Sequence, residues 1–164
     1  MLECSQLEES SLSRLKSKHD KGGVAVLSGS RGDKSSKENR ARAKSLDKDI
    51  RSKFGKGATK VTGKYTEKDD KTGKETKVKE RSHVVTSGKM GKRKFKKEVK
   101  KLGKKYGQDS VITQTKPGGS ATLKRTRKGG LPKKNIPLGK MRPGRTGEND
   151  TRIKGKTYTY EETV

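Results

Sequence analysis

Gly22-Gly23-Val24-Ala25-Val26-Leu27-Ser28-Gly29-Ser30-Arg31-Gly32-Asp33-Lys34-Ser35-Ser36-Lys37-Glu38-Asn39-Arg40 reads as a strand, a small polar loop and a helix. Val24 to Leu27 is the most concentrated apolar run in a very polar chain, and a short uninterrupted run of this kind fits a strand buried on both faces. Ser35-Ser36-Lys37-Glu38 has the spacing of a capping box, which predicts a helix start there. A loop of Ser28, Gly29, Ser30, Arg31 and Gly32 on a helix N-terminus offers amide groups, the helix dipole and a guanidinium to one spot. Ser28, Ser30, Arg31, Asn39 and Arg40 are therefore candidate ligands of a phosphate group. An ordinary strand-to-helix turn uses the same residue types, and the loop is neither a Walker A sequence nor a G-x-G-x-x-G.

The chain has 164 residues, enough for one domain, of which only 23% are hydrophobic and 39% charged. Forty-five Lys and Arg against 19 acids give a formal charge of +26. Such a composition borders on disorder, but the apolar residues fall into periodic segments, so a thin core under a lysine coat is expected. The charge calls for a polyanion, with nucleic acid the first candidate partner. An anionic membrane surface is the second candidate and is disfavoured, because no helix pairs a basic face with Trp, Phe and Leu together as interfacial helices do, the chain having no Trp. The acidic start Met1-Leu2-Glu3-Cys4 has no apolar h-region, and one cysteine cannot form an internal disulfide, which predicts an intracellular protein. The separation of Cys4, His19 and His83 gives no zinc spacing, and no cofactor is expected.

Outward from the opening stretch, residues 3–18 carry Leu7, Leu12 and Leu15 on a loose helical stripe. Ala43, Leu46, Ile50 and Phe54 give Ser36 to Phe54 one apolar face. Asn39 lies on that face and needs hydrogen-bond partners, from the loop backbone or from a ligand. Alternation predicts strands over 58–67 and 76–86, joined by a hairpin loop, with His83 at a sheet surface. Phe95, Val99, Leu102 and Tyr106 mark a helix over 92–106, otherwise almost all Lys and Arg. Short strands are expected at 109–115 and 121–126, and a closing strand at 151–162. Between them, residues rich in Gly, Pro, Lys and Arg read as a long basic loop. The organisation expected is an N-terminal helical segment (1–22), an α+β core (23–126), a basic loop (127–150), and a closing strand with tail (151–164). The fold class expected is α+β, a small mixed or mainly antiparallel sheet covered by two amphipathic helices.

The order of motifs also resembles a family of small phage and bacterial proteins of unassigned function. The resemblance is carried by Ser28-Gly29-Ser30-Arg31-Gly32, Glu38-Asn39-Arg40, Val61-Thr62-Gly63-Lys64-Tyr65, Val78 to Val85, and Leu102 to Ile112. It implies a compact α+β domain of phage origin and no particular activity. Where that pattern carries Glu-Glu-Ser, this chain has Glu80-Arg81-Ser82.

Three functions compete. The first is binding of nucleic acid through its phosphates with little sequence readout, by Lys94, Lys97, Lys101, Lys104, Arg125, Arg127 and Lys128. The second is a phosphate-bearing small ligand at the Ser28–Arg31 loop, with Glu80 or His83 supplied from the middle hairpin and catalysis left open. The third is a virion-associated structural role, docking on virion proteins or an acidic protein partner. Taken together these readings lean away from an enzyme.

Overall fold

The computed structural model of the chain describes residues 11–68, 71–127, 134–145 and 150–161. The start of the N-terminal helix, Cys4, the hairpin tip, Lys128 and Leu131 lie outside the described residues.

The described chain forms α1 (Ser11–Lys21), β1 (Val24–Leu27), α2 (Ser36–Phe54), β2 (Thr59–Lys68) and β3 (Glu75–Thr86). There follow α3 (Lys92–Lys105), β4 (Ser110–Gln114), β5 (Ala121–Arg125), β6 (Ile136–Pro143), β7 (Thr151–Ile153) and β8 (Lys156–Glu161). The strands close into an antiparallel barrel in the order β1-β3-β2-β7-β8-β6-β5-β4. β1 makes the closure, pairing Ala25 with Val85 of β3 on one side and with Thr113 of β4 on the other.

This corrects the expected small sheet under two helices. Alternation tells which side of a strand is buried, but not which strands meet, and closure depends on the pairings of β1 with β4 and of β2 with β7. The stretch read as a basic loop also holds β6. Its Pro137, Gly139 and Pro143 hide it as a strand, and the pairing of β5 with β6 shifts register between Ala121 and Thr122. The closing strand is a tight hairpin, turned by Lys154 and Gly155, both at positive φ.

Period-two alternation divides the core in two. Ala25, Leu27, Val85 and Val111 point outward from the barrel into a cluster with Leu46 and Ile50 of α2 and Phe95, Val99 and Leu102 of α3. Val24, Val61, Val84, Met141, Ile153 and Tyr158 point inward, where an eight-stranded barrel has just enough room for side chains. α1 completes this inner cluster through Leu12 and Leu15, against β6 and β8. α3 approaches the barrel wall closely at Gly103, where a Cβ would sit 2.7 Å from Val111 Cγ1 and 2.8 Å from Thr126 Cγ2.

Candidate active site

Ser35 and Glu38 form the reciprocal capping box that starts α2. This fixes the polar loop before it, whose groups turn inward on one another. Ser28 Oγ donates to the Arg81 carbonyl at 2.9 Å and accepts from the Ser30 amide at 3.1 Å. Asn39 Oδ1 accepts from the Arg31 amide, and its Nδ2 donates to the Arg31 carbonyl, both at 3.0 Å. Of the two sources of bonds considered for Asn39, the loop backbone is the one used. Arg31 donates to Asp33 and to the carbonyl of Gly107. Gln108 Nε2 donates to the Ser30 carbonyl at 2.7 Å. Arg42 ties the loop to the end of α3, donating to the carbonyls of Gly29 and Tyr106.

The lysine face lies apart. Lys94, Lys97, Lys101 and Lys104 are exposed on α3, with Lys101 3.6 Å from Glu98. Arg127 pairs with Asp109 at 2.7 Å, and the Arg125 amide donates to Asn135. Arg31, Lys104 and Arg127 do meet, around a shallow cleft of about 280 Å³ beside Gly107 and Gln108.

A larger cleft, about 530 Å³, opens where α2 crosses β2 and β3. Ala41 and Ala43 leave the space, Arg40, Lys44 and Lys60 bring positive charge, and Arg81, Ser82 and His83 form the strand wall. Leu46 and Ile50 anchor α2 to the barrel, and Asp47, between them in sequence, faces the cleft. Asp47 is held from one side only: Oδ2 accepts from Arg51 at 3.4 Å, while Oδ1 is buried without a hydrogen-bond partner.

His83 is 2% exposed, buried beneath α2 rather than at a sheet surface. Neither of its ring nitrogens has a side-chain or backbone partner of good geometry. Burial holds its pKa below the ordinary histidine value, against the opposing attraction of the Asp47 carboxylate. A neutral imidazole, with the Leu27 backbone as its one weak hydrogen-bond neighbour, and a buried carboxylate oxygen without a partner therefore share one cleft with several cations. Groups of this kind offer hydrogen-bond partners to a ligand in the cleft. His83 and Arg40 were accessible to sequence reasoning. Asp47 was not, because nothing in an acidic residue on a lysine-rich helix announces that it faces a strand 36 positions later. Its only signal is its place between the core residues Leu46 and Ile50.

Among the described residues, no helix is long and apolar enough to cross a membrane. No curated protein matches the sequence at significance. The sequence does match the S-adenosylmethionine lyase family, over residues 25–163. That match overturns the expectation of a phage-type protein that binds nucleic acid or docks in a virion. The lysine excess suggests a polyanion-binding surface, whereas the family is named for an enzyme activity on a small molecule. Since the match runs from β1 to beyond β8, through all the strands of the barrel, the chain belongs to the S-adenosylmethionine lyase family.

Proposed function

We propose that the chain is an S-adenosylmethionine lyase and that the cleft between α2 and the β2–β3 hairpin is its substrate site. The family match carries the reaction. The mixed charge of the cleft supports the location, since the substrate bears a sulfonium, an ammonium and a carboxylate. Arg40, Lys44 and Lys60 suit the carboxylate, and the open oxygen of Asp47 suits a cationic group or a ribose hydroxyl. A cleft lined only by lysine would repel the sulfonium.

The chemistry needs no external nucleophile. The substrate carboxylate attacks its own Cγ; the new O–Cγ bond closes a five-membered lactone as the Cγ–S bond breaks. The electron pair of that bond passes to sulfur, which leaves as the neutral thioether of methylthioadenosine. No proton and no water are consumed, and the ammonium is unchanged. Because a carboxylate and a sulfonium are both discharged on the way to the transition state, the reaction gains from removal from water and from a folded substrate conformation. The work of the protein is then to bend the aminoacyl chain back on itself and to hold the adenosine in line behind the leaving sulfur.

The test is incubation of the purified chain with S-adenosylmethionine in H₂¹⁸O, with products followed by mass spectrometry. Methylthioadenosine with an unlabelled lactone is the expected result. Homoserine labelled at its γ-hydroxyl would mean direct attack by water, and no turnover would overturn the assignment. A kcat/KM lowered about tenfold or more in Asp47→Asn with the fold intact locates the reaction in this cleft.

A further inference from the structure

A second cavity, about 550 Å³, lies on another side of the barrel, between the end of α1, the start of α3 and the end of β3. Lys18, Lys21, Lys56 and Lys92 line it, from three different parts of the chain, and no acidic residue joins them in the wall. The remaining polar lining is uncharged: Thr86, Ser87 and Thr115, with Gly22, Gly23 and Gly88 between them. Lys18 is only partly exposed; its Nζ donates to Thr59 Oγ1 at 2.7 Å. Burial, and then repulsion from Lys56 and Arg14, hold its pKa below the ordinary lysine value. α3 begins at the same wall with Gly91 in the N-cap position, no side-chain cap, and no acid in its first turn. The positive end of that helix therefore adds to the lysine charge rather than being offset.

These features differ from the lysine coat elsewhere. On the outer sides of α2 and α3 acids are interspersed with the cations and pair with some of them: Lys53 and Lys101 with Glu98, and Lys105 with Asp49. Around this half-open cavity four cations converge with no acidic residue in the lining, an arrangement that favours a bound anion. The absence of a carboxylate makes it a poor host for a sulfonium, so it is not a duplicate of the substrate cleft.

We infer that this four-lysine cavity is a binding site for a small polyphosphate-type anion, separate from the lyase site. Four ammonium groups and an uncapped helix start match a ligand with several phosphate charges better than a single carboxylate. The volume admits either an inorganic oligophosphate or the phosphate tail of a nucleotide, and the phosphate chemistry is common to both.

The experiment is isothermal titration calorimetry of the full chain with tripolyphosphate and with ATP, at 150 mM salt. The variants are Lys56→Gln/Lys92→Gln, and Lys97→Gln/Lys101→Gln on the outer face of α3 as a control with the same change in net charge. All four side chains belong to exposed residues, so both doubles are expected to fold. Saturable binding, weakened about tenfold or more in the cavity variant and unchanged in the control, is the expected result. Equal affinity for the two probes would assign the site to phosphates alone, and tighter binding of ATP would add the nucleoside. Absence of binding, equal weakening in both variants, or displacement of the probe by S-adenosylmethionine would overturn the inference. The lyase reading is scored separately by turnover, so either can fail alone.

Discussion

The hydroxyl of Tyr160 donates to Nε2 of His19 at 2.7 Å, across 141 positions of sequence. The other ring nitrogen, Nδ1, donates to the Leu15 carbonyl one turn back on α1 at 2.8 Å, so this pairing fixes a neutral tautomer. Tyr158 packs edge-on to both rings, and burial pushes its own hydroxyl up to about 12. The bond fastens α1 to β8 at the inner core. Tyr160→Phe leaves the ring packing in place but removes the donor to a buried nitrogen, an expected loss of about 1–2 kcal/mol. Urea unfolding measures it, and an unchanged midpoint would show that α1 is held by its leucines alone.

Acid should weaken the fold in two separate windows. Burial lowers the pKa of His19 and of His83 relative to 6.5. Between the lowered folded value and 6.5 the unfolded chain binds more protons than the folded one. Stability is therefore flat above that window and falls as pH drops through it, by up to about 1.4 kcal/mol per pH unit for each histidine. Around His19 the opposing charges are Lys16, which favours the neutral form, and Asp20, which favours the cation. Around His83 they are Lys60 and Asp47 in the same two senses. The carboxylates of Asp33, Asp49 and Glu98 are held below their usual range by hydrogen bonds from Arg31, Lys105 and Lys53. Their contribution is present above the ordinary carboxylate pKa and disappears below it. Unfolding free energies at pH 7.5, 5.5 and 3.5 separate the windows. A flat profile from 7.5 to 5.5 would contradict neutral burial of the histidines.

Arg42 joins three segments, and its fork is the part that matters. Nε donates to the Gly29 carbonyl at 2.6 Å, Nη2 donates to the Tyr106 carbonyl, and the guanidinium carbon lies 5.7 Å from the centre of the Tyr106 ring. Lysine keeps the charge but cannot hold two carbonyls at once. Arg42→Lys should therefore lose most of what Arg42→Ala loses, about 2 kcal/mol by thermal or urea unfolding. Full retention of stability in the lysine variant would show that the charge alone is enough.

Much of the local structure was legible because its causes are local. The apolar run Val24–Leu27, the Ser35–Glu38 box and the stripes Leu46–Ile50 and Phe95–Val99–Leu102 placed β1, α2 and α3 within a residue. What stayed hidden is long-range. The barrel closes through partners such as Ala25 and Thr113, or Gly63 and Thr151, and no residue in either strand specifies its partner. Charge misled for a related reason. Forty-five cations dominate the composition, yet the cleft proposed to hold the substrate depends on Asp47, one of 19 acids, and on His83, which the charge count takes as neutral.

The substrate cleft makes a kinetic prediction that distinguishes the roles of its two buried groups. Asp47 offers a carboxylate oxygen to a cationic or hydroxyl group of the substrate in both the ground and transition states. Asp47→Asn should therefore act mainly through KM, lowering kcat/KM about tenfold or more. His83 is buried in the wall, with neither ring nitrogen in a hydrogen bond of good geometry. His83→Gln keeps hydrogen-bonding capacity and should retain more activity than His83→Leu, which keeps only bulk. Circular dichroism confirms the fold in each case. Because the proposed ring closure transfers no proton, kcat should stay flat from pH 7 to 9 in the wild type and in both His83 variants. A bell-shaped profile abolished in His83→Gln would mean that the imidazole moves a proton, and would overturn the unassisted ring closure.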